Sequence, residues 1–385
     1  MDKPDYRNSI VNLAVSLFRS RGCEPNGYEP LAGLDPLELA GRPVVVLIVD
    51  GLGDNFLQRY PDSFLCRHRR GRLSSVFPPT TASAMTSFFT GAAPQQHGIT
   101  GWYTYFRELG TVATVLPFVP RYGGVDFSKA GIRPGRLIDA ESQFSALAGP
   151  CHFALPDYLV DSVYSQALSG TACRHGYGSP EELFALLEKL AGRGGGNDLV
   201  IGYWPELDSL GHACGIESPE AADLFDKLDR CCRDSLPRLA AAGAAVIVCA
   251  DHGLIDAPQE RVINLEEHPR LAGTLTLPLC GEPRCAYCYV RSDRKEDFER
   301  YIAEELDFAC ELKRSREMIL EGYFGLGHGS PRLEERVGEY ALLMKDDYII
   351  KDRLLSEENS PLVGVHGGLS ADELYVPLIL VPRNP

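Results

Sequence analysis

The sequence has no run approaching the roughly eighteen apolar residues that a membrane-spanning helix needs. Its opening, MDKPDYRNSIVNLAVSLFRS, starts with an acid and has no small-residue cleavage site behind its apolar patch, which speaks against a secretory leader. Both absences lead to the expectation of a mature, cytoplasmic protein with no membrane partner. Positive charge is scarce as well: 38 Lys and Arg stand against 53 Asp and Glu, for a net charge of -15. Binding a polyanion takes clustered cations, so a nucleic-acid polymer is excluded as the main partner. No internal repeat occurs, and the one biased tract is the flexible GRGGGN turn at 192–197.

A second CxxC is missing too. Twelve cysteines are scattered along the chain, and only Cys285 and Cys288 form a CxxC, inside the alternating, strand-like PRCAYCYVRS. A zinc ribbon takes two such pairs. Cys231 and Cys232 are adjacent and Cys249 sits in the apolar VIVCAD, so reduced, mostly buried thiols describe the set better than disulfides.

What is present is a core of buried strands. A chain of 385 residues with 44% hydrophobic content can fill one large α/β domain with an insertion. RPVVVLIVDG (42–51), NDLVIGYW (197–204) and AAVIVCADHG (244–253) are continuous apolar runs, the pattern of parallel strands covered on both faces. Between the last two lies a helix opened by Ser218 and Pro219 and followed by Gly243; SPEELFALLEKLAG opens the same way, with a capping box from Ser179 to Glu182. Strand, helix, strand is the signature of a helix-covered parallel sheet. The expected fold is an α/β, three-layer α/β/α sandwich with a mostly parallel central sheet. Residues 1–255 and 361–385 form its core, closed by a strand from Tyr375 to Val381, and 256–360 form an inserted α+β cap. Within the cap, DRKEDFERYIAEELDF reads as a helix and GEYALLMKDDYIIKD as paired strands.

Polar residues gather at the C-terminal ends of the strands, where open α/β sheets place ligands. Asp50 ends the first; Asp251 and His252 end the third; after the second, PELDSLGH places Asp208 and His212 four apart, on one face of a helical turn. His366 adds a third imidazole, followed by two glycines. Three carboxylates and three imidazoles suit zinc, with manganese possible. Six ligands are too many for one catalytic zinc and the right number for two ions, about 4 Å apart, that clamp the oxygens of an in-line displacement.

The stretch VFPPTTASAMTSFFTG supplies the remaining part. ASAMTSFFT reads as a buried helix ending near Gly91, with a threonine hydroxyl at its N-cap. A helix N-terminus is also an anion site, and a hydroxyl beside a dication is an activated nucleophile.

Asp50, FPPTTASAMTSFFTGAAPQQHGITG, YWPELDSLGHACG, ADHG and VHGGLS, in that order, resemble the alkaline phosphatase superfamily, and within it the type I phosphodiesterase/nucleotide pyrophosphatase family. The resemblance implies an alkaline-phosphatase-like core holding two zinc ions, one by Asp208, His212 and His366 and one by Asp50, Asp251 and His252. It implies that Thr81, with Thr80 as the alternative, borders the metals and attacks phosphorus. The expected reaction is hydrolysis of a small phosphodiester or nucleotide by double displacement through a phospho-threonine. Ala84 stands where the resemblance leads one to look for an Asn on a phosphoryl oxygen. Trp102, Tyr103 and Tyr105 are candidates to stack an aryl or nucleobase group, and Tyr203 to line the pocket. A phosphomonoesterase or phosphomutase on the same core, and a metal-binding regulatory protein without turnover, are the alternatives.

Overall fold

Val44–Val49, sequence VVVLIV, is β-branched at all but one position and buried at every one. It forms the middle of the main sheet because both of its edges are used: Leu199–Trp204 pairs with it in parallel on one side and Ala245–Cys249 in parallel on the other. The computed structural model describes residues 2–25, 27–192, 196–354, 357 and 362–383, so residues 193–195 of the GRGGGN turn lie outside it. The complete strand order is Arg69–Ser74, Tyr375–Val381, Ala245–Cys249, Val44–Val49, Leu199–Trp204, Cys151–Pro156 and Cys173–Tyr177. Tyr375–Val381 is antiparallel to both of its neighbours, and the remaining pairings are parallel. This is the expected three-layer α/β sandwich.

Helices cover both faces. Pro180–Ala191 starts where Ser179 accepts a hydrogen bond from the Glu182 N–H, while the Glu182 side chain accepts from the Gly178 N–H. Pro219–Ala241 starts at a Ser218 cap. Thr81–Thr90 is buried at every residue, packs against Ile10–Arg19, and stops at Gly91, whose φ of 64° is the left-handed geometry a glycine adopts without strain. Thr80 takes the cap position and Thr81 is the first helical residue, one place earlier than the sequence pattern suggests. No described helix is long and apolar enough to cross a membrane.

A second, antiparallel sheet has the order Cys310–Arg314, Tyr340–Met344, Cys285–Cys288, Cys280–Glu282, Tyr103–Phe106, Thr111–Thr114 and Val119–Pro120. Its last three strands come from residues 103–120, which a boundary at 256 assigns to the core, so the second lobe is sewn to the first through a sheet that draws on both. The expected pairing inside GEYALLMKDDYIIKD also differs. Tyr340–Met344 joins the second sheet, whereas Ile349–Lys351 pairs in parallel with Val262–Asn264. All twelve cysteines are free, and Cys285 and Cys288 are buried strand residues.

A fully buried ion pair crosses between the lobes. Arg284, beside the second sheet, donates from Nη2 to Glu373 Oε2 at 3.0 Å; both side chains are fully buried, and Arg284 also donates to the Tyr348 carbonyl. Glu373 accepts as well from the Gly368 N–H at 2.7 Å and the Ser370 hydroxyl at 2.7 Å. Glu373→Gln leaves the guanidinium buried without a counter-charge and is expected to cost about 3–5 kcal/mol in urea unfolding.

Candidate metal centre and substrate cavity

Three neighbouring parallel strands end on the same side, and their ends carry the acidic groups. Asp50 follows Val44–Val49, Asp251 follows Ala245–Cys249, and the helix Glu206–Cys214, directly after Leu199–Trp204, carries Asp208 and His212. His366 follows Gly364–Val365, and Thr81 opens its helix beside them. Gly51 makes the convergence possible. Its φ is +77°, and a Cβ there would sit 2.4 Å from Leu254 Cδ1 and 3.1 Å from the Asp208 Cα, so any side chain would push the Asp208 helix away from Asp50.

Five of the six expected donors fall into two trios, and His212 approaches them through Asp208. Two trios have donor atoms within 4.8 Å of one another: Asp50, Asp251 and His252, and Asp208, His252 and His366. His252 Nε2 lies 3.3 Å from Asp50 Oδ1 and 3.4 Å from Asp251 Oδ2. His212 Nε2 is 3.4 Å and His366 Nε2 3.9 Å from Asp208 Oδ1. Thr81 Oγ1 is 3.1 Å from His252 Nε2 and donates to Asp50 Oδ2 at 3.4 Å; the Tyr203 hydroxyl donates to that same oxygen.

The imidazoles are oriented by backbone carbonyls. His212 Nδ1 faces Gly364 O at 2.7 Å, His252 Nδ1 faces Gly253 O at 3.1 Å, and His366 Nδ1 faces Pro79 O at 3.2 Å. A carbonyl only accepts, so each Nδ1 carries a proton and each ring turns Nε2 inward. Burial, with the neighbouring imidazoles, lowers the His366 pKa well below its usual value, and burial lowers His252, which keeps both rings neutral. Lone pair therefore faces lone pair across the Nε2 to carboxylate contacts.

The carboxylates carry the same signature. Asp50 Oδ1, Asp208 Oδ1 and Asp251 Oδ2 are buried without a hydrogen-bond partner, although the other Asp251 oxygen accepts from the Gly51 and His252 N–H groups. Burial, then mutual repulsion, pushes Asp208 and Asp251 up to about 7 and Asp50 well above the carboxylate range. Three orphaned carboxylate oxygens and three inward nitrogen lone pairs have one chemical complement, a cation. The residues present thus fit a bound metal.

The model of the family described as "Type I phosphodiesterase / nucleotide pyrophosphatase" matches residues 44–120 and 125–369. The chain belongs to that family. The family is one of phosphoester hydrolases. Solved structures share its fold at low identity. Murine ectonucleotide pyrophosphatase/phosphodiesterase 5 is 17% identical, with 87% of each chain covered and a TM-score of 0.66. An inactive form of that protein in complex with AMP has a TM-score of 0.65, at 17% identity over 89% of this chain and 88% of that one. Phosphonoacetate hydrolase from Sinorhizobium meliloti 1021, in complex with phosphonoacetate, has 19% identity, 89% and 91% coverage and a TM-score of 0.62. No curated protein matches the sequence.

In this family member a cavity of about 620 Å³ opens from Thr81, Asp208, His212 and His366 toward the second lobe. Trp102 and Tyr103 line it, whereas Tyr105 packs edge-on against Tyr289. Arg121 on the far wall lies over the Tyr103 ring and is committed to Asp352 at 2.7 Å and Glu357 at 2.8 Å. Ala84 is enclosed in the core and lines no part of the cavity. Sequence reasoning passed over Glu282, whose carboxyl reaches the cavity; burial pushes it up to about 8, against the lowering influence of the Thr80 hydroxyl and the Trp102 N–H. An acid beside Gly281 and before PRCAY was the signal, and it resembled any loop glutamate.

A divalent cation supplied at 100 times its Kd should stabilise the fold by about 2.7 kcal/mol. Differential scanning fluorimetry of wild type and Asp251→Asn checks this; the variant is expected to lose most of the cation-dependent shift.

Proposed function

We propose that the chain is a two-metal phosphodiesterase that cleaves a phosphodiester or pyrophosphate bond through a phospho-threonine at Thr81. The observation that carries the reading is the convergence of three unpartnered carboxylate oxygens and three inward imidazole nitrogens beside Thr81 Oγ1. His252 Nε2 is within reach of both donor sets, but one lone pair serves one ion. Its contacts with Asp50 and Asp251 favour assigning it to those two. Asp208 and His366 then take His212, 3.4 Å from Asp208, as their third donor. This nitrogen and oxygen set suits zinc, and manganese is an acceptable substitute. When bound, the two cations supply the positive charge that acidifies the threonine hydroxyl and neutralises the phosphoryl oxygens.

The chain itself supplies orientation and the proton path. Thr81 stands at the start of a ten-residue helix whose first N–H groups have no intrahelical partner, a cradle for a non-bridging phosphoryl oxygen. Its hydroxyl donates to Asp50 Oδ2, and the proton leaves along that bond as Oγ1 bonds to phosphorus and the bond to the leaving oxygen breaks. Tyr203, its own hydroxyl held far above its usual pKa by burial and by Asp50, stays protonated and keeps the same Asp50 oxygen in place. In the second displacement a water oxygen bonds to phosphorus as that water gives a proton to solvent, and Thr81 Oγ1 departs and takes its own proton back from Asp50.

The cavity favours diesters over monoesters. Trp102, Tyr103, Leu279, Ala286 and Ile350 give apolar room for a substituent on phosphorus, and the Arg121 guanidinium is already paired with two carboxylates rather than free for a dianion. Metal-replete protein should therefore hydrolyse p-nitrophenyl thymidine monophosphate faster than p-nitrophenyl phosphate. Thr81→Ala should keep its metal content by elemental analysis while turnover falls by about 10³-fold or more. Wild-type turnover in that variant would contradict the nucleophile assignment.

A further inference from the structure

Glu282 ends the strand Cys280–Glu282 of the second sheet and lines the same cavity as Thr81, Asp208 and Trp102. It belongs to neither donor trio. Its side chain is 6% exposed, and one carboxyl oxygen, Oε1, accepts the Trp102 backbone N–H at 2.6 Å. No hydrogen bond closes on the other oxygen among the described residues; the Thr80 hydroxyl is near enough to lower the pKa of the carboxyl, yet is itself left without a hydrogen-bond partner.

The group is held firmly. Glu282 Cβ packs against Gly367, where φ is +105° and an added Cβ would sit 2.5 Å from it. Two residues on, Arg284 is locked to Glu373. A rigid acceptor on the wall of a substrate cavity is placed to meet a donor on whatever enters that cavity.

We propose that Glu282 is a specificity residue whose free carboxyl oxygen accepts a hydrogen bond from a hydroxyl or ammonium group on the ester substituent of the substrate. This rests on the phosphodiesterase reading and narrows its substrates to diesters carrying such a donor a few bonds from phosphorus. A carboxyl oxygen of this kind accepts whether the group is ionised or protonated. An analogue without the donor leaves the oxygen unpaired, which is how buried polar groups discriminate strongly between near-isosteres.

The test uses butyl, 3-hydroxypropyl and 3-aminopropyl p-nitrophenyl phosphate, which have equal numbers of heavy atoms in the ester chain. Metal-replete wild type should prefer at least one donor-bearing ester over the butyl ester by about tenfold or more in kcat/KM. The hydroxyl and ammonium arms tell which donor is used. In Glu282→Gln the Trp102 N–H retains the amide oxygen, so the amide NH₂ turns to the cavity and meets the substrate donor with a donor; the preference should fall to about one. Calorimetric Kd values for the three esters on Thr81→Ala read the same preference without turnover. A wild-type ratio near one in both measurements, or an undiminished ratio in Glu282→Gln, overturns the proposal. Discrimination in Kd with no turnover of any ester by wild type supports the role of Glu282 and sinks the hydrolase reading instead; turnover of all three with equal kcat/KM and equal Kd does the reverse.

Discussion

Acceptor set against acceptor is the feature on which the rest of this structure depends. Asp50, Asp208 and Asp251 each turn an unpartnered oxygen into the same small space, and three imidazoles turn Nε2 toward it. Such an arrangement is repulsive unless positive charge enters it. The surrounding fold bears that cost by holding each group from outside: carbonyls on the imidazoles, backbone N–H groups on Asp251, and the Tyr203 hydroxyl on Asp50. A site that is unfavourable when empty is selective for the ions that relieve it.

The architecture turns this local constraint into a reaction centre. Parallel pairing of three adjacent strands lines up their C-terminal ends, so residues 50, 208 and 251 need only short turns to meet. The second lobe then closes over that point. It contributes the wall of the cavity through Cys280–Glu282, and the Arg284 to Glu373 ion pair ties it to the loop that follows His366. Position of the His366 loop and shape of the cavity are thereby set from the same turn, residues 282–284.

Much of this was legible in the sequence because the decisive elements are local. Continuous apolar runs identify buried parallel strands, and Asp208 and His212 four residues apart could share a site only on a helix. What stayed hidden depends on contacts distant in sequence. Nothing in YTYF or TVAT announces that they join strands from residues 280–344 in one sheet, since edge pairing leaves no periodic mark. DYIIK reads as the partner of EYALLM by proximity, yet pairs instead with Val262–Asn264. Ala84, three residues along the helix from Thr81, is close to it in sequence yet buried in the core, which its position in the sequence does not reveal. Glu282 carries no motif, and its significance comes from Trp102, 180 residues away, occupying one of its two oxygens.

The central claim is that two cations share this cluster. Anomalous-scattering maps from crystals grown with zinc, or with manganese, test it directly. Two peaks are predicted, one bounded by Asp50, Asp251 and His252 and one by Asp208, His212 and His366, both beside Thr81. A single peak, or well-ordered side chains with no peak between them, would contradict the account.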